Sequence, residues 1–420
     1  MQPHHQHHSS ISMNLLLIAT GFLPYAFSEN ICNGKLALCL RSEGFEVDVI
    51  SRVDEGPSYS REWVSPWKEL QTITHEVQYR TGNKMIRAFD TARAAWELRS
   101  FPIGGIRWAR RAYKQALDMC RLHSYDAVLT RSPNDVAHLV GRALKNKLGI
   151  KWLANWNDPA TTIWPGSYSH KLSPSYTRRY NELMSSCMKM ADVNTFPSIE
   201  LCQHFKDHFD ILHDRPCKIV PHATLPTQLF PKRHYCKSDV FRICHSGNLS
   251  PERDPRLFLQ AMKQAGSETG VHIHLDIMGI PNPFVKDLVE KYRMSDQVSF
   301  IGNYSYEEAL SRLTGYDILL LQEARLDRGI FFPSKLTDYA QTGRPTLAVS
   351  PKDGYAHRVI GQFGGGICVD NNSTEDITRG LRRMIEAWKT NTLDIDFSTN
   401  RLLAQYSYTH IVDLYKEMLP

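Results

Sequence analysis

The sequence predicts an α/β protein of two similar halves, each a parallel sheet with helices between its strands. Three observations carry that expectation. Short apolar runs alternate with longer helical ones, and the opening strand, helix and strand occupy residues 13–50, the reach of a βαβ unit. The rhythm breaks over residues 224–239, where Pro226, Pro231 and several basic residues read as an interdomain crossing, and then restarts. The length, 420 residues, suits two or three domains at roughly 150 residues each.

In order, MNLLLIAT (13–20) is a compact apolar strand, and Lys35–Glu43 is a helix carrying Leu36, Leu38 and Leu40. Gly44 stops it, and FEVDVI (45–50) alternates as a second strand. Residues 51–84, rich in Trp, Tyr and Pro, interrupt the pattern as either an acceptor-side excursion or a packed lid. Helix follows over 85–121, interrupted near Pro102 and Gly104–Gly105. Its Arg107, Arg110, Arg111 and Lys114, beside Trp108 and Tyr113, either rest on an anionic membrane surface or form the solvated face of a helix packed on the sheet. Strands at 125–130, 150–156, 191–196 and 217–223, with helices from after Asn134 to Lys147 and over 198–209, complete the first half. The second half sets strands at 240–247, 271–279, 298–302, 316–322, 345–350 and 366–369 among helices over 254–265, 283–293, 305–313, 335–341 and 374–388. A closing helix runs over 400–418. The expected organisation is a tail (1–12), an N-terminal domain (13–222), a linker (223–239), a C-terminal domain (240–398) and a returning helix (399–420).

Fifty Lys and Arg against 44 Asp and Glu leave a net charge of +6. That suits a polyanionic ligand or an anionic membrane surface and is too weak to indicate nucleic acid. The start, with four histidines in its first eight positions, reads as a tag-like or disordered tail or else a metal-binding tract, and the packed chain begins near Met13. Leu15–Ala19 is too short for a membrane span, and no apolar run approaches 18 residues. The nine cysteines form no CxxC pair and read as buried free thiols of a reducing cytoplasm.

Two clusters in the second half carry chemistry. HSGNLSPERDP (245–255) puts Gly247 and Asn248 directly after a strand and Arg253 before a helix opening at Asp254–Pro255. Free backbone N–H groups at such a junction, with a guanidinium beside them, suit an anion; the alternative is a structural turn. In FFPSKLTDYAQTGRP (331–345), Ser334 is placed to cap a helix whose first turn holds Lys335, with Asp338 one turn on. A lysine there needs a compensating charge. That charge is either a bound phosphate, with Asp338 holding sugar hydroxyls, or simply an i,i+3 Lys335–Asp338 ion pair. In the first half, Asn157, Asp158 and Pro159 end a strand, so Asp158 either orients a hydroxyl or makes an Asx turn. His138 is a rim donor to a sugar or a packing histidine, and Gly34 stands at the start of the first helix, where a pyrophosphate can approach.

Other signatures are missing or weak. Asp394-Ile395-Asp396 has DxD spacing but lacks a strand context, and no HExxH, GxSxG, GxxxxGK[ST] or GxGxxG pattern occurs.

Taken in order, these segments resemble the retaining glycosyltransferases of the family 4 type (glycosyl transferases group 1), in a bacterial polysaccharide-biosynthesis subgroup. The resemblance runs from MNLLLIATGFLP (13–24) through YDAVLTRSP (125–133), IKWLANWNDP (150–159), ADVNTFPS (191–198) and KIVPHA (218–223). It continues in HSGNLSPERDP (245–255), IGNYSYEEALSRL (301–313), YDILLL (316–321) and PSKLTDYAQTGRP (333–345). It implies a GT-B fold, two Rossmann-like parallel-sheet domains facing across a cleft, and a nucleotide-sugar donor held mainly by the C-terminal domain. On that implication Arg253 and Lys335 contact the diphosphate and Asp338 the ribose or nucleotide side, Gly34, Gly247, Asn248 and Ser334 also bind the donor, and Gly34, His138 and Asp158 face the cleft, His138 and Asp158 as catalytic residues beside Arg253 and Lys335. The reaction implied is front-side transfer of the sugar, with retention, to a hydroxyl of a glycan or polyprenyl-linked glycan in capsule or lipopolysaccharide assembly. Arg253 and Lys335 meet the leaving charge, no metal or other cofactor is required, and the setting is the cytoplasm or the inner face of the cell membrane. No nucleic-acid partner is implied. The chain departs from the family pattern in two places. Asn33–Gly34 replaces the usual Gly-Gly, and Ile330 and Asp338 stand where the C-domain signature has paired glutamates. The competing expectations are a GT-B-like epimerase, a phosphorylase using pyridoxal phosphate, or an inactive sugar-nucleotide-binding partner of another transferase.

Overall fold

Strands of a parallel sheet covered by helices on both faces must be buried on both sides, and the central strands here are. The computed structural model describes residues 13–53, 62–78 and 82–420. The tail expected at 1–12, its metal-binding alternative, and part of the 51–84 stretch lie outside the described residues. The first sheet comprises β1 (Asn14–Ala19), β2 (Glu46–Arg52), β3 (Thr74–Val77), β4 (Ala127–Arg131), β5 (Lys151–Asn155), β6 (Val193–Phe196) and β7 (Cys217–Ile219). They lie in the order β3-β2-β1-β4-β5-β6-β7, every pair parallel. The second sheet comprises β8 (Phe241–Ser246), β9 (Ile273–Met278), β10 (Val298–Phe300), β11 (Ile318–Gln322), β12 (Thr346–Ser350) and β13 (Gly366–Asp370), in the order β10-β9-β8-β11-β12-β13. Each is a Rossmann-like sheet whose strand order reverses beside its first strand, at β1/β4 and at β8/β11, and crevices for ligands open at such points. The two domains face one another across a cleft.

The cores show how the domains are joined. Leu16 and Ile18 of β1 pack into the outer core of the N-terminal domain, while Leu15 and Leu17 belong to a cluster that continues into the C-terminal domain through Leu336 and Tyr339. The end of the chain belongs to that shared cluster too. The expected closing helix is two helices, Asn400–Tyr406 and Tyr408–Lys416, with Ser407 between them accepting from the His410 N–H (3.4 Å). Tyr406 and Tyr415 join the shared core, and the Tyr406 carbonyl accepts from Thr224 N–H (2.8 Å) in the crossing segment.

Polar and apolar ties cross the seam. The ammonium of Lys35, 1% exposed, donates to Asp338 Oδ1 (2.9 Å) and Thr337 Oγ1 (2.8 Å) of the other domain. Arg358 makes a two-point pair with Glu200 (2.6 and 3.1 Å). Ile330 leaves its own domain altogether, packing at 2% exposure in the outer core of the N-terminal domain, where its carbonyl accepts from Ser198 Oγ (3.3 Å).

Several expectations need correction. The first helix spans Ser28–Ser42, seven residues earlier than its leucines suggest, because the opening turns are buried through Asn30, Cys32 and Asn33 rather than through large apolar side chains. The helices Pro174–Met190 and Tyr355–Phe363 were not foreseen, and β3 lies inside the stretch left as an excursion or lid. The basic helix packs on its domain, and Arg110 is buried there rather than solvated. Trp108 of Ile106–Leu122 is fully buried with its indole N–H on the Ser51 carbonyl (3.3 Å), and Arg110 is buried against Glu97 (2.7 and 3.0 Å). The DxD pair falls in the short helix Leu393–Asp396, where Asp394 pairs with Arg344 (3.0 Å) and Asp396 accepts from Thr392 (2.6 Å).

Removing one partner of a buried ion pair strands the other charge, whereas removing both does not. Lys35→Met should therefore cost about 3 kcal/mol or more in denaturant unfolding, and Lys35→Met/Asp338→Leu should recover most of that loss. Equal stability of the single variant and the parent would show that the pair does not hold the domains.

Candidate active site

The cleft opens at the C-terminal ends of β1, β5, β8 and β11, where loops leave the sheets and backbone groups are free. A cavity of about 290 Å³ lies there, lined from one side by Ser28, Glu29, Asn157, Asp158, Trp164 and Tyr168 and from the other by Arg253, Glu323, Phe331, Ser334 and Lys335. Phe331 bridges the walls, its ring 5.6 Å from that of Trp164 and 5.8 Å from that of Tyr168.

On the C-terminal wall, Gly247 follows β8 with φ +119°, a conformation side chains rarely adopt. A Cβ there would lie 2.5 Å from Lys335 Cε and 2.9 Å from its Nζ, so the glycine makes room for the ammonium. Lys335 opens the helix Lys335–Thr342, an end that favours anions. Burial, and then the Arg253 guanidinium, lower its pKa to about 8, against the pull of Asp338 and Glu323. Arg253 is exposed on the loop after β8. Glu323 directly follows β11; burial raises its carboxyl to about 7, opposed by the charges of Arg253 and Lys335.

On the N-terminal wall, Glu29 stands in the first turn of Ser28–Ser42 and is held by Asn157 Nδ2 and by Arg131 (3.4 Å). Burial nevertheless raises its pKa to about 8; Arg131 opposes the rise and Asp158 adds to it. Asp158 is raised to about 6 by burial and by Asp135, with Arg253 pulling the other way. Glu29, Cys32 and His222 also bring three possible metal-ligand atoms within 4.8 Å of one another. Burial keeps the Cys32 thiol protonated, with a pKa of about 12, and Arg131 already supplies the cation beside Glu29.

The structure thus gathers Arg253, Lys335, Ser334 and Asp158 around one cavity, with Gly247 beneath Lys335. Four other candidates stand elsewhere, and Ser334 acts differently from the expectation. Gly34 is well inside its helix, and a Cβ on it would meet Leu23 at 2.3 Å, so it serves close packing rather than a pyrophosphate. His138 is fully buried behind the wall, its ring 3.9 Å from that of Trp156 and Nδ1 2.8 Å from Thr130 Oγ1; burial holds it neutral, at about 3. Asn248 ties two loops by accepting from Ile280 N–H (3.0 Å). Asp338 pairs with Lys35 and Tyr306 (2.6 Å) instead of with Lys335. Ser334 does not cap the helix through its hydroxyl, which meets Ser28 Oγ across the seam (2.9 Å). Glu29, Glu323, Trp164 and Tyr168 were missed. A charged residue directly after the buried run ILLLQ was the signal for Glu323, and the late start assigned to the first helix concealed Glu29.

Residues 228–394 match the family model described as glycosyl transferases group 1. No curated protein matches the sequence. Among solved structures, the sucrose-phosphate synthase of Thermosynechococcus elongatus is similar at TM-score 0.68 and 15% identity, over 97% of this chain and 99% of that one. A glycosyltransferase from Rickettsia africae is similar at 0.64 and 14%, again over 97% and 99%. The Anabaena protein HepE in complex with UDP-glucose is similar at 0.63 and 13%, over the same shares. At these identities the likeness is one of fold, and the fold is GT-B.

The raised Glu29 pKa has a measurable consequence. Between its ordinary value of 4.5 and about 8 the folded chain binds a proton there that the unfolded chain releases, so Glu29 lowers stability as pH rises through that window. Glu29→Gln keeps the acceptor for Asn157 and Arg131. It should therefore raise stability relative to the parent, by up to about 1.4 kcal/mol per pH unit across this range. A pH-independent difference in melting between the two would refute the assignment.

Proposed function

We propose that this chain, a GT-B-fold member of the glycosyl transferases group 1, moves a sugar from a nucleotide-sugar donor to a hydroxyl of a glycan or lipid-linked glycan acceptor, with retention at the anomeric carbon. The observation that carries the reading is the pairing of Arg253 with Lys335 on one wall of the cleft. Burial, and then the neighbouring Arg253 guanidinium, lower Lys335 to about 8. A bound diphosphate satisfies both charges and uses the anion-favouring helix end. As the sugar–phosphate bond breaks, charge builds on that diphosphate, and donors already aimed there stabilise the transition state more than the ground state. The acceptor hydroxyl attacks from the same face, and its proton passes to the leaving phosphate. Asp158 and Glu29 face the sugar from the opposite wall. HepE was solved with UDP-glucose, which makes UDP-sugars the first donors to try.

One observation favours a second reading. Glu29 and Glu323 both titrate near neutrality, as an acid–base pair epimerising a nucleotide sugar would require. Conversion of donor with no acceptor present would favour it.

A thermal-shift screen against UDP-, GDP-, dTDP- and CMP-sugars, followed by mass spectrometry with candidate acceptors, tests the transferase reading. Arg253→Ala and Lys335→Ala should each lower turnover about 10²-fold or more, and near-parental rates in both would sink it. Donor affinity should fall above about pH 8, as Lys335 loses its charge. An affinity flat from pH 7 to about pH 9.5 would remove Lys335 from the diphosphate site.

A further inference from the structure

The chain passes between the domains twice, and both passages leave the C-terminal domain at one place. On the way out, residues 233–235 are fastened to that domain. Arg233 donates to the Gln341 carbonyl (2.9 Å), the His234 N–H to Thr314 Oγ1 (3.0 Å) and the Tyr235 hydroxyl to Asp317 Oδ1 (2.6 Å). On the way back, Phe397 still belongs to the core of the C-terminal domain and Leu402 to the shared core, so the return begins in the residues between them. A cavity of about 320 Å³, the size of a small-molecule site, lies where the passages meet. Arg233 and Tyr235 line it from the outgoing passage, Ser398 and Asn400 from the returning one, and Gly343 and Arg344 from the domain itself. Gly343 and Arg344 lead into β12, so the cavity stands at the opposite end of the sheet from the cleft.

The chemistry of the lining identifies the ligand. Arg344 is 4% exposed, and its guanidinium lies over the Tyr235 ring (3.7 Å), one Nη donating to Asp394 (3.0 Å) and the other to the Asp317 carbonyl (3.1 Å). Its Nε is buried and has no hydrogen-bond partner among the described residues. A guanidinium N–H taken out of water and left unpaired is costly, and beside a cavity it calls for an acceptor that a ligand supplies. Arg233, which is exposed, brings a second guanidinium. A Cβ on Gly343 would stand 2.8 Å from Arg233 Nη1, and Gly343 has φ +78°, so the glycine lets that guanidinium lie close to the helix end. Two guanidiniums suit a phosphate, which they hold through charge-assisted paired hydrogen bonds. Asp394, also in the lining, repels a phosphate but accepts from hydroxyls, and Ser398 and Asn400 offer further hydroxyl partners.

We propose that this cavity binds a small phosphorylated sugar, its phosphate on Arg233 and Arg344 and its hydroxyls on Asp394, Ser398 and Asn400. Such a ligand touches both passages between the domains, so its binding ties the outgoing and the returning chain together at the root of the two connections. The site is separate from the cleft and does not depend on the reaction carried out there.

The test is isothermal titration calorimetry of the full chain in phosphate-free buffer, with glucose 6-phosphate, inorganic phosphate and glucose as probes, and a thermal shift beside each titration. Glucose 6-phosphate should bind and raise melting, and should do so equally in Arg253→Ala/Lys335→Ala, which removes the cations of the cleft. Arg233→Gln changes an exposed side chain, so melting of the unliganded chain should stay at the parental value. Its affinity for glucose 6-phosphate should fall about tenfold or more, the worth of one charge-assisted contact. Glucose and inorganic phosphate should each bind more weakly than the ester, since each meets only part of the lining. Parental affinity in Arg233→Gln overturns the proposal, as does loss of binding in Arg253→Ala/Lys335→Ala, which would move the ligand to the cleft. Neither heat nor a melting shift with glucose 6-phosphate overturns it too. Inorganic phosphate binding as tightly as the ester would overturn the assignment of Asp394, Ser398 and Asn400 to a sugar.

Discussion

A lysine ammonium at 1% exposure needs a carboxylate, and the one that Lys35 has stands on the other domain. That constraint organises the molecule. Lys35 sits in the middle of the first helix, whose leucines feed the core shared by both domains, and Asp338 sits in the helix that opens with Lys335. The pair therefore connects the packing of the N-terminal domain to the helix end that carries the cleft's cation. Separation of the domains would leave an ammonium or a carboxylate without its partner in a low-dielectric seam, so any opening must either keep this pair or hydrate it. The returning helices reinforce the same place, Tyr406 and Tyr415 belonging to the shared core.

The cleft is electrostatically divided. Two cations crowd one wall, while Glu29 and Asp158 on the other are driven toward their neutral forms by burial. Without an anion, the cationic wall is destabilised by its own repulsion; the acidic wall is eased by protonation. A ligand with negative charge at one end and hydroxyls at the other matches that division. Ile330 gives the arrangement its individual character. Where the family resemblance places an acid, this chain has an apolar residue that crosses the seam into the N-terminal core. A carboxylate at that position would have to be buried there, whereas the isoleucine packs and docks the domains.

What was legible followed from periodicity and punctuation. Apolar runs located most strands to within a few residues, since a strand buried on both faces admits little else. The Gly247–Arg253 and Ser334–Lys335 clusters announced themselves by charge beside a strand end or helix start. The helices Pro174–Met190 and Tyr355–Phe363 did not, because polar residues or weak apolar periodicity disguise them. His138 was ambiguous for a physical reason. A histidine early in a helix at the sheet rim has the same sequence context whether it faces the cleft or, as here, stacks on Trp156 behind it.

By itself the sequence determined the two parallel-sheet halves, the crossing between them and the placing of Arg253 after a strand end and of Lys335 at a helix start. These depend on local pattern, and local pattern is written in consecutive residues. Tertiary structure alone decided which carboxylates face those cations, that Asp338 answers Lys35 rather than Lys335, and that Ile330 belongs to the opposite core. Each of these is a relation between residues far apart in the chain, and only the packing of one domain against another brings them within bonding distance.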